Sequence, residues 1–113
     1  MVDFSEVLCP NGASGNETLE CHILTVLAEA YQLWQQRQKK YGVTNIARTG
    51  AVGCYVRLED KVSRLHNYYV LNNKEAFGDE SIEDTWLDAI NYPVMGLLDH
   101  RGLWPKDNKT GGK

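Results

Sequence analysis

Ser81, Asp84, Asp88 and Asn91 follow one another at intervals of three, four and three residues, the spacing that lines side chains along one face of an α-helix. Glu80 borders that face through its i+4 relation to Asp84. Carboxylates one helical turn apart repel by a few tenths of a kcal/mol per pair, and no Lys or Arg stands near these in sequence. Two readings account for the cluster. A hard cation, Mg²⁺ or Mn²⁺, would use the carboxylates as oxygen ligands, with phosphate oxygens and water completing its shell. Alternatively Asp79, Glu80, Glu83 and Asp84 decorate a helix N-terminus, where the helix dipole favours negative charge. Asp88 and Asn91 lie too far along the helix for that second account.

The other charged concentration is basic. Arg57, Asp60, Lys61 and Arg64 share one side of the segment Arg57-Leu58-Glu59-Asp60-Lys61-Val62-Ser63-Arg64-Leu65. In a phosphate site Asp60 would face a metal, while Arg57 and Arg64 bind oxygens in a forked geometry and Lys61 acts as a point charge. The same four residues also suit an ordinary surface of i,i+4 ion pairs. The polarity extends beyond them. From Arg37 to Arg64 the balance is basic, with only Glu59 and Asp60 opposed, whereas from Glu75 to Asp99 every charged residue is acidic. The two segments together supply what phosphoryl chemistry needs: carboxylates for Mg²⁺ and cations for a leaving pyrophosphate.

Other chemistries find little support. No GxSxG, GxxxxGK[ST], HExxH or GxGxxG string occurs, and His22, His66 and His100 lack a carboxylate or nucleophile at motif spacing. Cys9, Cys21 and Cys54 are an odd number without CxxC spacing, which argues against a disulfide framework or structural zinc and predicts reduced thiols. A net charge of −3 argues against general nucleic-acid binding. No apolar run approaches the ~18 residues of a membrane span, and Met1-Val2-Asp3-Phe4-Ser5-Glu6 lacks the parts of a signal peptide, so a cytoplasmic location is expected.

The elements that must position these residues are helical. At 113 residues and 42% apolar side chains the chain makes one small domain. An irregular leader over 1–16 precedes a first helix with Asn16 as N-cap, Leu19, Ile23, Val26, Leu27, Ala30, Leu33 and Trp34 as its buried stripe, and Gly42 as its stop. Val43 to Gly53 reads as a loop. Tyr55, Leu58, Val62, Leu65 and Tyr69 then form the apolar side of a second helix, broken at Asn72-Asn73 and Gly78. A third begins near Asp79, with Ile82, Trp86, Ala89, Ile90, Pro93, Val94 and Leu97 as its core stripe and a kink or break expected at Pro93. The segment 105–113 reads as a flexible tail. The architecture is thus a small all-α bundle of three to four helices over 17–104. Trp86, Leu87, Tyr68 and Tyr69 provide more apolar area than one small core needs, which homo-oligomerisation would cover.

Three strings, Lys40-Tyr41-Gly42, Asp60-Lys61-x-x-Arg64-Leu65 and Asp84-Thr85-x-x-Asp88-x-x-Asn91-Tyr92, together resemble short, often phage-encoded relatives of the all-α, MazG-like nucleoside triphosphate pyrophosphohydrolases. The resemblance spans residues 17 to 98. It implies Mg²⁺-dependent (or Mn²⁺-dependent) cleavage of a deoxynucleoside or nucleoside triphosphate to monophosphate and pyrophosphate, in host cytoplasm if the chain is phage-encoded. It assigns Asp60, Asp84 and Asp88 as catalytic carboxylates and metal ligands, with Glu80 and Glu83 as auxiliary ligands. It further makes Lys61 and Arg64 phosphate contacts, places Asn91 and Tyr92 in the nucleotide pocket, and implies a dimer or tetramer. The sequence departs from the family pattern: the early EExxE is missing, with only Glu29 in Ala28-Glu29-Ala30, and Ser81 stands where a glutamate is expected three residues before Asp84. A non-catalytic module that sequesters a nucleotide or cyclic nucleotide on the same scaffold is the alternative, and a small protein-binding adaptor is a third.

Overall fold

The computed structural model describes residues 15–74 and 81–106, which fold into four helices without a strand. We label them α1 (Gly15–Tyr41), α2 (Thr44–Ala47), α3 (Gly50–Tyr69) and α4 (Ile82–His100). The all-α class expected from the periodicity is therefore the class observed. Nearly all of the expected leader, and 107–113 of the expected tail, lie outside the described residues.

α1 ends where the sequence predicts. Gly42 adopts φ 73° and donates its amide to the Gln38 carbonyl at 2.8 Å, the left-handed closure that glycine permits. The segment beyond it is not the expected loop. Val43, Ile46 and Ala47 pack into the core through the single turn of α2, and α3 starts at Gly50, well before Tyr55. The Thr, Asn and Gly content of 43–53 concealed this, because one turn is too short to display a helical period.

The start of α3 depends on a residue from α4. Asp99 Oδ2 accepts the Ala51 amide at 2.9 Å, placing a carboxylate at the positive end of the helix. Gly50, at φ 63°, makes room for it: a Cβ there would lie 2.8 Å from the same oxygen. At the start of α4, Ser81 Oγ accepts the Asp84 amide at 2.9 Å, and Glu83 and Asp84 occupy the first turn. α4 then continues through Pro93 to His100 as one helix, without the break that the sequence allowed. Pro93 has no amide hydrogen, so the bond to the Ala89 carbonyl is missing from that turn.

The core gathers at one end, around Ile46, Cys54, Met95 and Trp104, with Trp34, Val43, Ala47, Tyr92 and Leu98 packed about it. Trp104 Nε1 donates to the Val43 carbonyl at 3.0 Å, which ties the segment after α4 to the start of α2. Away from that end the helices turn unexpected faces to each other. Thr85, Asp88 and Asn91 of α4 are buried, whereas Trp86, Pro93, Val94 and Leu97 of its expected core stripe are exposed. On α3, Lys61 points inward while Tyr55, Val62 and Tyr69 are exposed. On α1, Leu19, Ile23, Val26 and Leu27 are exposed, and the stripe is covered only from Ala30 to Trp34. Amphipathic periodicity separates the two faces of a helix; which of them a single chain buries depends on its partners.

The expectation of three reduced thiols also needs correction. Cys21 is disulfide-bonded, while Cys54 is a buried free thiol. An odd count rules out complete pairing, not one bridge.

Candidate functional site

α1, α2, α3 and α4 enclose a cavity of about 180 Å³ beside the core. Trp34, Arg37 and Tyr41 enter it from one face of α1, Asn45 from α2, Arg57 from α3, and Asp88, Asn91 and Tyr92 from α4. The α1 set sits at i, i+3 and i+7, so a single helical face delivers two aromatic rings and a guanidinium. Trp34 is fixed by neighbours, stacked on Tyr31 at 5.8 Å between centroids and edge-on to Trp104 at 6.4 Å. Asn91 is fixed as well: its Nδ2 donates to the Ala30 carbonyl at 2.9 Å, bolting α4 to α1 across the bundle.

The electrostatics centre on Asp88, whose side chain is 6% exposed. Lys61 Nζ lies 3.2 Å from its Oδ2, and an Arg37 terminal nitrogen approaches the same oxygen at 3.6 Å. With Arg57 also lining the cavity, Arg37, Arg57 and Lys61 outnumber the one buried carboxylate, and the pocket favours an anion. Arg57 also reaches the field of Cys54. The Cys54 thiol is pushed above its ordinary value, chiefly by burial and next by the Asp99 carboxylate, with Arg57 opposing both.

The residues expected from sequence divide into two groups. Arg57, Asp88, Asn91 and Tyr92 converge on the cavity, with Lys61 behind Asp88. Asp60 is exposed on α3, Arg64 is half-buried, and Glu83 and Asp84 lie in the first turn of α4; none of these four lines the cavity. Glu80 lies outside the described residues. Ser81, standing where the MazG-like pattern has a glutamate, serves as the N-cap of α4. Among the described residues no three His, Cys, Asp or Glu side chains gather as a metal site would require. Asp88, buried between the helices, already has two cations against it, and a divalent ion there would be repelled by both.

Trp34, Arg37, Tyr41 and Asn45 were not singled out from sequence. Their signal was present for the three α1 residues, whose shared face is readable from spacing alone, but a Trp and a Tyr at helical spacing read first as core. No family model matches this chain, and no curated protein or solved structure is significantly similar to it.

Proposed function

We propose that this chain is a nucleotide-binding protein whose cavity takes one planar heterocycle and whose cations meet the ligand's phosphates, without a metal ion. The observation that carries this reading is the convergence of three aromatic side chains and two guanidinium groups on one cavity. Its volume supports the division of labour. A cavity of ~150 Å³ accommodates a benzene ring, so about 180 Å³ holds a single base and leaves the sugar and phosphates at the mouth. Stacking on Trp34, Tyr41 or Tyr92 contributes roughly 1–3 kcal/mol per base, and Gln38 and Asn45 offer hydrogen bonds to its edge. Arg37 and Arg57 supply the forked donors that phosphate oxygens take.

The test is thermal melting against ribonucleoside and deoxynucleoside mono- and triphosphates and cyclic nucleotides, each with Mg²⁺ and with EDTA, followed by chromatography of the recovered ligand. A ligand at ~100 times its Kd adds ~2.7 kcal/mol to stability. Stabilisation that persists in EDTA, with the ligand recovered intact, is expected. Conversion of a triphosphate to monophosphate only when Mg²⁺ is present would replace this reading with the pyrophosphohydrolase that the sequence resemblance implies.

The exposed faces support a second element of the reading, a homo-oligomer. Ile23, Val26 and Leu27 of α1 and Ile90 of α4, with His22 beside them, line a mostly apolar concavity of about 370 Å³, and Val94 follows Ile90 on the same face of α4. An apolar surface shared by two helices suits a second copy of this chain, placed with the same surface against it.

A further inference from the structure

We infer that Arg37 is an exchangeable anion-binding arm, resting beside Asp88 and turning onto a phosphate that enters the cavity while Lys61 keeps Asp88 neutralised. This rests on the nucleotide reading only in placing an anion in the cavity; it requires no particular base.

The asymmetry of the two ion pairs is the basis. Lys61 Nζ stands 3.2 Å from Asp88 Oδ2 with its side chain 14% exposed, so it is enclosed with the carboxylate between α3 and α4. Arg37 stands 3.6 Å from the same oxygen with its side chain 41% exposed. Charge-assisted hydrogen bonds between nitrogen and oxygen shorten to about 2.7–2.9 Å, so Arg37 is attracted to Asp88 without being locked to it. It also shares its helix face with Trp34 and Tyr41 and lines the same cavity as Arg57 from α3. An oxyanion between the two guanidiniums would meet donors from two different helices, and a phosphate offers more acceptor oxygens than the single carboxylate oxygen that Arg37 faces. Asp88 then acts as a positioning residue: it holds Arg37 at the cavity wall, and its negative charge competes with the ligand for that guanidinium.

Calorimetric titration of the full chain with inorganic pyrophosphate in EDTA buffer tests the inference. Arg37→Gln should weaken pyrophosphate binding about tenfold or more, the loss expected when one hydrogen bond to a charged partner is removed. Arg37→Lys should recover only part of it, since an ammonium lacks the fork. Asp88→Asn should tighten binding, and should do so less in the Arg37→Gln background, where only the uncompensated Lys61 charge remains, the difference being the part that acts through Arg37. If Asp88→Asn does not fold, the Gln and Lys variants of Arg37 decide alone. Unchanged pyrophosphate affinity in Arg37→Gln, or no pyrophosphate binding by the wild-type chain, overturns the inference. Undiminished nucleotide binding by Arg37→Gln would remove Arg37 while leaving the nucleotide reading intact. Pyrophosphate binding that depends on Arg37, with no nucleotide bound better than pyrophosphate, would do the reverse.

Discussion

Lys61 and Asp88 meet 3.2 Å apart between α3 and α4, an ion pair in which the carboxylate side chain is 6% exposed and the ammonium side chain 14%. The two helices are joined through what their sequences present as polar faces. Removing one partner leaves the other charge buried without it, a change that costs about 3–5 kcal/mol. Asp88→Leu should lower the urea midpoint by that equivalent, and Lys61→Met by less, because Arg37 remains 3.6 Å from the carboxylate. The double variant should be markedly more stable than either single one, because an apolar pair of similar volume replaces both charges. Equal and additive losses would show that the pair is not energetically coupled.

Asp99 makes a similar long-range connection, from the last turn of α4 to the start of α3. Its carboxylate accepts the Ala51 amide at 2.9 Å, and Lys106 Nζ lies 3.7 Å away on the solvent side. Asp99→Ala should destabilise the protein by ~1 kcal/mol, the usual cost of losing an N-terminal cap. Lys106→Ala should change stability by less than half of that, since its side chain is 75% exposed. Gly50→Ala should cost more than Asp99→Ala, because it adds a left-handed strain to the same steric conflict. Thermal denaturation of the three variants gives the order directly.

Much of this scaffold was legible in the sequence, and its limits are instructive. The all-α class and α1 with its Gly42 stop follow from periodicity, as do the polar helix faces that carry Arg57, Asp88 and Asn91, whereas Tyr92 is reached only through the family resemblance. The inward turn of Asp88 does not follow, because a helix with one polar and one apolar face looks the same in sequence whichever it buries. α2 escaped notice because its stability comes from Ile46 in the core, a tertiary contact. Asp60 and Asp84 stand apart from the cavity for another reason: spacing places both on plausible helix faces, but only packing decides whether the two faces meet.

Cys54 provides a pH-dependent consequence. Its thiol is held above the ordinary value of 9.0 by burial and by the neighbouring Asp99 charge. As pH rises through that value the unfolded chain releases the thiol proton before the folded chain does. The unfolded state then binds fewer protons, and the slope of stability with pH is negative. The contribution is fully present below 9.0 and declines above it. Cys54→Ser should flatten the alkaline part of the pH–stability curve. The buried thiol should also react slowly with iodoacetamide in the native protein and rapidly in denaturant. A native rate equal to the denatured one would show that this side of the core opens freely.

The exposed apolar faces of α1 and α4 lead to a prediction about assembly. Burying one Val, Leu or Ile side chain fully contributes about 1.5–3 kcal/mol. Val94, Val26 and Leu27 are each roughly half-exposed, so each retains about half of that gain for a partner. In a two-fold interface every such residue counts twice, once per subunit. The wild-type chain should therefore sediment as a dimer or larger species. Val94→Asp and Leu27→Glu should each shift it to monomer, because a carboxylate in the contact must be desolvated on both sides of the axis. Tyr55→Ser, on α3 outside that surface, should leave the sedimentation coefficient unchanged. A wild-type chain that stays monomeric at the highest accessible concentration would mean that these side chains remain in water. The stability of the isolated chain would then rest on the core around Ile46, Cys54, Met95 and Trp104 and on the polar contact of α3 with α4.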